Sequence, residues 1–276
     1  SLKEYLEKFD IPLSAMQTRE GLYAAARDFI HSLEGDGVRY VEVRFAPMQS
    51  VHPGLSCRQV LESVLEGLLQ ARRETGIDSR VIVCAMRHHP QEKNLEMMRT
   101  ARNYLGQGVC ALDLAGDEAA YPLKEFRQLF AEAKKLEFPF TIHAGECQSL
   151  ENVREAVELG AARIGHGIAL SKDPELMETV GRLGIGLELC PTSNFQTRAA
   201  SPETYPLRKF LQARLAVSIN TDNRTVSGTT LSKELELAAR LSGGLGDERL
   251  FTENAVRTAF LSGEEKEELL GKLEIS

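Results

Sequence analysis

The stretch Phe138–Glu146, FPFTIHAGE, constrains this chain more than any other. Phe138, Phe140 and Ile142 alternate with Pro139, Thr141 and His143, the period of two that a strand with unlike faces requires. His143 therefore shares a face with Thr141 at the strand's end. Ala144 and Gly145 then open a loop, where a φ-permissive glycine lets the backbone turn sharply and leaves Glu146 close behind the imidazole. A metal-competent nitrogen and a carboxyl group thus stand at the lip of a parallel sheet. A core histidine followed by an ordinary loop glutamate is the plainer account of the same residues.

Similar strand patterns recur at Val38–Pro47, Arg80–Met86, Val109–Asp117, Ala162–Gly165, Gly184–Cys190 and Ala216–Asp222. Helical spacing separates them. Leu22, Ala25, Phe29, Ile30 and Leu33 form a stripe that Gly35-Asp36-Gly37 ends, and Ser56 with Gln59 makes a capping box that opens a helix running to Gly76. Further helices are expected over 91–106, 123–135, 153–159, 206–213, 230–241 and 248–260, with Pro174 in the first turn of another and Ser262/Glu265 capping a last one. IPLSAM reads as a breaker and PTSNFQT as a loop. Adjacent His88 and His89 project to opposite faces if extended, so they read as loop structure rather than a chelating pair.

Seven strand–helix alternations without a long linker argue for one α/β domain over residues 1–276. Several strands keep one face polar or small, which suits a (β/α)8 barrel better than an open parallel sheet. In the strand Val109–Asp117, the carboxylate of Asp113 shares a face with Ala111 and Ala115, and Asp222 shares one with Ala216, Ser218 and Asn220. The chain opens with Leu2, Tyr5, Leu6 and Phe9 at helical spacing, and only seven of eight strands are visible. The first strand is therefore expected ahead of Ser1, the domain being N-terminally incomplete as given.

The net charge of −7 and pI near 5.5 disfavour a nucleic-acid partner, whose phosphates reward basic surfaces. Cysteines at 57, 84, 110, 147 and 190 include no C-x-x-C pair and read as reduced thiols. No apolar run approaches the ~20 residues of a membrane helix, so no membrane association and a cytoplasmic location are expected. The sequence sets no oligomeric state.

His143, Glu146, His166 and Asp222 fall at the ends of three strands, the distribution from which barrel enzymes assemble a site. Singly each has a plainer reading, His166 as a glycine-bracketed structural histidine and Asp222 as a turn residue. Jointly they offer imidazole and carboxylate oxygen for zinc, a second imidazole for water, and a carboxyl for proton delivery.

The ordered motifs TIHAGE (141–146), GHG (165–167), CPTSN (190–194) and SINTDN (218–223) resemble those of the adenosine deaminase family. VEVRFAP (41–47) and DLAGDE (113–118) are similar to its earlier strands, so the likeness covers essentially the whole chain. The resemblance implies a zinc-dependent (β/α)8 hydrolase that converts adenosine and 2'-deoxyadenosine to inosine and ammonia. By the family's pattern His143 and Asp222 bind Zn2+, His166 orients or deprotonates the attacking water, and Glu146 protonates the purine ring. Gly116 offers the purine a backbone contact, and Asn223 stands where many relatives carry a second aspartate. The family's first strand supplies a His-x-His pair, and none of the six histidines here forms one, so two further zinc ligands are expected from the segment ahead of Ser1. Two alternatives stand beside this reading: a deaminase of adenine or another 6-aminopurine derivative, and a catalytically silent purine-binding barrel.

Overall fold

The computed structural model describes residues 8–274, so most of the helix expected over Ser1–Phe9 lies outside the described chain. The described residues fall into two compact units. One runs from the described start to Gly116 and includes Gln128–Pro139; the other comprises Asp117–Arg127 and the chain from Phe140 onward.

In the first unit α1 (Asp10–Ala15) and α2 (Arg19–His31) lead into a parallel sheet of three strands, β1 (Tyr40–Phe45), β2 (Asp78–Met86) and β3 (Val109–Ala115), in that order. Parallel strands need crossovers. Here they are α3 (Cys57–Thr75) and α4 (Gln91–Arg102). The expected capping box is present at the head of α3, where Ser56 and Gln59 each bond the other's backbone N–H, and Gly76 at φ +77° ends the helix. Val60, Leu61, Val64 and Leu68 form its buried stripe, each side chain contributing roughly 1.5–3 kcal/mol on leaving water. Gly67 brings α3 against α2: a Cβ there would lie 2.4 Å from the Tyr23 carbonyl oxygen. On the polar face of β3, buried Asp113 has its Oδ2 3.3 Å from Arg44 Nε and accepting from Cys84 Sγ at 3.6 Å. Against the breaker reading, Ile11–Ala15 belongs to α1; Pro12 sits in its first turn, where a helix needs no N–H.

In the second unit β4 (Thr141–Ala144), β5 (Arg163–His166), β6 (Gly186–Leu189) and β7 (Val217–Ile219) form a parallel sheet in sequence order. α5 (Arg127–Lys135), of which all but Arg127 belongs to the first unit, precedes β4 in the chain; the crossovers are α6 (Leu150–Glu158), α7 (Pro174–Leu183), and the pair α8 (Pro191–Gln196) and α9 (Leu207–Gln212). Then come α10 (Arg224–Ser227), α11 (Leu231–Ser242), α12 (Glu248–Thr258) and α13 (Gly263–Glu274). Side-chain caps from Ser149, Asp173, Thr230 and Asp247 start α6, α7, α11 and α12.

Three strands of this sheet, β4, β6 and β7, are shorter than their alternating sequences predict, while β5 keeps its expected four residues one position later. β4 begins only at Thr141, although Phe138 and Phe140 are buried. β7 stops at Ile219; Asn220 N still bonds Leu189 O at 2.8 Å, but Asp222 has φ +54°. The expected common face of Ala216, Ser218, Asn220 and Asp222 therefore breaks before the aspartate. PTSNFQT is not a loop: its first six residues are α8, with Pro191 at the N-terminal position that tolerates a missing N–H.

A buried ion pair ties the sheet together. Arg163 Nε lies 2.6 Å from Glu188 Oε1, which also accepts from Thr141 Oγ1 at 3.1 Å. Arg163 Nη1 donates to the Thr258 carbonyl at 3.0 Å, and the guanidinium sits 4.1 Å from the centre of the Phe260 ring. Among the described residues all five cysteines are free thiols and no helix is long and apolar enough to cross a membrane.

Candidate active site

Because β4 to β7 run parallel, His143, His166 and the segments leaving β6 and β7 emerge at one edge. The register sets His143 opposite Gly165 and Ala144 opposite His166. Gly165 leaves room for the imidazole, since a Cβ there would lie 3.3 Å from three atoms of His143. Gly145 turns the chain at φ +85°, and a Cβ would meet Val153 Cγ2 at 2.7 Å. Only glycine fits that turn, and it carries Glu146 inward to 7% exposure.

The rings of His143 and His166 lie edge to face, 5.1 Å between centres. His166 Nε2 is 3.5 Å from Glu146 Oε2, and Thr197 Oγ1 donates to Glu146 Oε1 at 3.2 Å. On the other side of the ring, Asn194 Nδ2 lies 2.9 Å from His166 Nδ1. The Tyr205 hydroxyl donates to Asn194 Oδ1 at 3.2 Å, which fixes the amide's orientation. An amide nitrogen only donates, so Nδ1 accepts and the neutral ring carries its proton on Nε2. Burial holds the Tyr205 phenol well above its ordinary range, so it stays an O–H donor.

Burial also raises the Glu146 carboxyl above the usual carboxylate range; His166 and His143 oppose that rise, while Asp222 and Glu118 add to it. The four candidate residues therefore share one electrostatic environment. Asp222 is exposed: its Oδ2 accepts from Ser193 Oγ at 2.7 Å and its Oδ1 from Asn223 N at 2.8 Å. Asn223 caps α10, its Oδ1 accepting from Val226 N at 2.9 Å. Gly116 follows β3 in the first unit at φ +112°, and a Cβ there would have no neighbour nearer than 3.5 Å, so backbone conformation rather than crowding asks for glycine.

Residues 1–275 match the family model described as adenosine deaminase. The chain belongs to the adenosine deaminase family. The adenosine deaminase of Enterococcus faecalis is 44% identical over 275 residues, which are 99% of this chain and 82% of that protein. Among solved structures, an adenine deaminase from Arthrobacter aurescens is similar at a TM-score of 0.90 and 22% identity, covering 99% of this chain and 84% of that one. An amidohydrolase from Burkholderia ambifaria with bound Zn is similar at a TM-score of 0.84 and 23% identity, covering 91% of this chain and 71% of that one. These likenesses show the fold, the (β/α)8 class that the strand–helix alternation predicts.

Within this family member, His143 and Asp222 present the donor types that zinc takes, an imidazole nitrogen and a carboxylate oxygen. Among the described residues no group of three or more His, Cys, Asp or Glu is placed to hold a metal ion, so these two fit zinc only as part of a larger set. His88 and His89, edge to face at 4.5 Å in the first unit, form no such group either.

Sequence reasoning singles out CPTSN as a motif but gives its residues no roles. Ser193 and Asn194 turn out to orient Asp222 and His166, and the visible signal is Pro191 at the head of a short helix. Thr197 and Tyr205 carry no signal of their own, because what they do depends on contacts between distant segments.

Proposed function

We propose that this chain catalyses the hydrolytic deamination of adenosine and 2'-deoxyadenosine to inosine and ammonia, serving purine salvage in the cytoplasm. One observation carries the reading: a buried carboxyl, Glu146, held among His166, His143 and Asp222 at the strand ends of an adenosine deaminase family member.

Burial favours the protonated form of Glu146, which can then deliver its proton to a purine ring nitrogen. Protonating the ring withdraws electrons from the amino-bearing carbon, where the oxygen of water adds; one proton of that water passes to the amino group, the C–N bond breaks and ammonia leaves, and the other returns to Glu146 as the carbonyl forms. His166 is held with its Nε2–H directed to the Glu146 side of the site, where it orients the attacking water by donating to its oxygen. That tautomer favours the orienting role over the deprotonating one. His143 and Asp222 are the residues here that would hold Zn2+, which when bound supplies Lewis-acid activation of water, with further protein ligands needed beyond these two. Gly116 would contact the purine through its backbone. Asn223 would offer Nδ2, its Oδ1 being used in the cap of α10.

The partner is thus a small purine nucleoside; the net charge of −7 argues against a polyanion. The test is ultraviolet absorbance and ammonia release with zinc-loaded protein expressed from the full reading frame, using adenosine, 2'-deoxyadenosine, adenine and AMP. Adenosine should be consumed fastest. Faster turnover of adenine or AMP would reassign the substrate, and purine binding without turnover by metal-loaded protein would refute the enzyme reading in favour of a silent module.

A further inference from the structure

The loop that presents Glu146 is held from behind by a second buried acid. Glu118, 3% exposed, lies in the segment 117–127 of the same unit. Its Oε1 accepts from Gly145 N at 2.5 Å and from Asn152 Nδ2 at 2.9 Å, and its Oε2 accepts from Cys147 N at 3.0 Å. Asn152 Oδ1 accepts in turn from Leu123 N at 2.9 Å, so the amide is locked with Nδ2 facing Glu118. The two backbone N–H groups that Glu118 takes belong to the residues immediately before and after Glu146.

Two fixed peptide groups one residue apart leave little freedom to the residue between them. The turn has other bonds, Ala169 N and Gln148 N both donating to the Gly145 carbonyl at 3.2 and 3.3 Å, but these hold one side only. Glu118 is the group that grips both sides. Hydrogen bonds to a carboxylate are among the stronger ones, which suits a group that must hold a loop rather than react.

We infer that Glu118 is a positioning residue for the deamination: by holding the N–H groups of Gly145 and Cys147, it aims the Glu146 carboxyl at the purine ring. This rests on the deaminase reading above. A proton donor displaced by about 1 Å can cost on the order of a hundredfold in rate, so the orientation of this loop bears directly on turnover.

The decisive variant is Glu118→Gln, made in the full-length, zinc-loaded protein. An amide keeps one acceptor oxygen and turns an NH2 toward a backbone N–H, so one side of the grip fails. The kcat per zinc-loaded site should fall about 10- to 100-fold while KM stays within about threefold, since Glu118 does not touch substrate. Amide hydrogen exchange at Gly145 and Cys147 should quicken at least about tenfold, a change that a general loss of stability would spread over the whole unit. Unchanged exchange at both amides, or unchanged kcat in an active parent background, overturns the proposal alone. An inactive zinc-loaded parent sinks the deaminase reading and this proposal with it. Should Glu118→Gln fail to fold, Asn152→Ala decides in its place: it removes the donor that steadies the carboxylate together with the acceptor for Leu123 N, so a fall in kcat of about threefold or more at constant KM with faster exchange at Gly145 and Cys147 supports the proposal, while an unchanged kcat, or unchanged exchange at both amides, overturns it.

Discussion

Replacing Arg163 with methionine tests whether the buried ion pair staples the sheet that carries the site. The side chains of Arg163 and Glu188 are 7% and 6% exposed, so Arg163→Met strands a carboxylate that water does not reach. Breaking a buried pair from one side costs about 3–5 kcal/mol. Thr141 Oγ1 stays within reach of Glu188 and softens the loss, while the lost stacking on Phe260 adds about 0.5–1 kcal/mol. At about 2.1 cal/mol/K per residue, the unfolding entropy of 276 residues is about 0.6 kcal/mol/K, so the midpoint should fall by about 5–9 °C in calorimetry. The double variant Arg163→Met/Glu188→Leu removes both charges. Thr141 Oγ1 can still donate to the residue 163 carbonyl, which it already approaches at 3.2 Å, so this variant should return to within about 1–2 kcal/mol of the parent. Arg163 starts β5 and His166 ends it, so kcat of the folded single variant at 25 °C should change less than about threefold. A single variant melting within about 2 °C of the parent, or a double variant showing the plain sum of both losses, would refute the reasoning.

Glu146→Gln should lower kcat by about 10²–10⁴ without unfolding the protein, because it removes the proton while keeping the shape; circular dichroism with turnover assays checks both halves. Asp222→Ala should lower the zinc retained after dialysis, read by elemental analysis, with the melting curve of the metal-free protein little changed because Asp222 is exposed. Glu74 is held down to about 2 by hydrogen bonds from Gln70, His31 and Arg27. A depressed carboxylate contributes stability that is present above its unfolded value and lost as pH falls through its folded one. The gap in melting temperature between parent and Glu74→Gln should therefore be full at neutral pH and close between about pH 4.5 and about pH 2; a gap that persists in acid would count against it.

Much of the candidate site's placement is legible in the sequence because its residues sit at or near strand ends, where period-two alternation gives way to glycine. His143 and Glu146 can be placed from FPFTIHAGE alone, and the capping box at Ser56 and Gln59 forms as read. The limits of the strands are not legible. Alternation continues through Asp222 in the sequence, yet the ladder ends at Ile219, because hydrogen bonding to a neighbouring strand and not side-chain pattern decides where a strand stops. Glu118 closes the DLAGDE motif, but its role is not legible for a related reason: an acidic residue after a strand looks like solvated loop, and only the folded chain shows Gly145, Cys147 and Asn152 converging on it. IPLSAM and PTSNFQT mislead in the same direction, since proline breaks a helix interior but is at home in a first turn.

Backbone strain points to the same edge of the sheet by an independent route. Among the described residues, the non-glycine positions at positive φ are Glu137, Gln148, His166, Arg198, Arg214 and Asp222. Glu137, Arg198 and Arg214 lie just beyond the ends of α5, α8 and α9, where a left-handed residue commonly terminates a helix, and Gln148 is in a turn. His166 and Asp222 have no helix to end. His166, at φ +62°, is also 2% exposed and ends a strand, so neither solvent nor a cap accounts for a conformation that costs about 1–2 kcal/mol. Gly167 after it is left-handed too, at φ +66°, but a glycine takes that conformation without the cost that His166 bears. What the left-handed twist at His166 achieves is to set Nδ1 against Asn194 and Nε2 toward Glu146. A chain selected for folding alone has no reason to hold a buried imidazole in that way; the strain fits the water-orienting role proposed for His166.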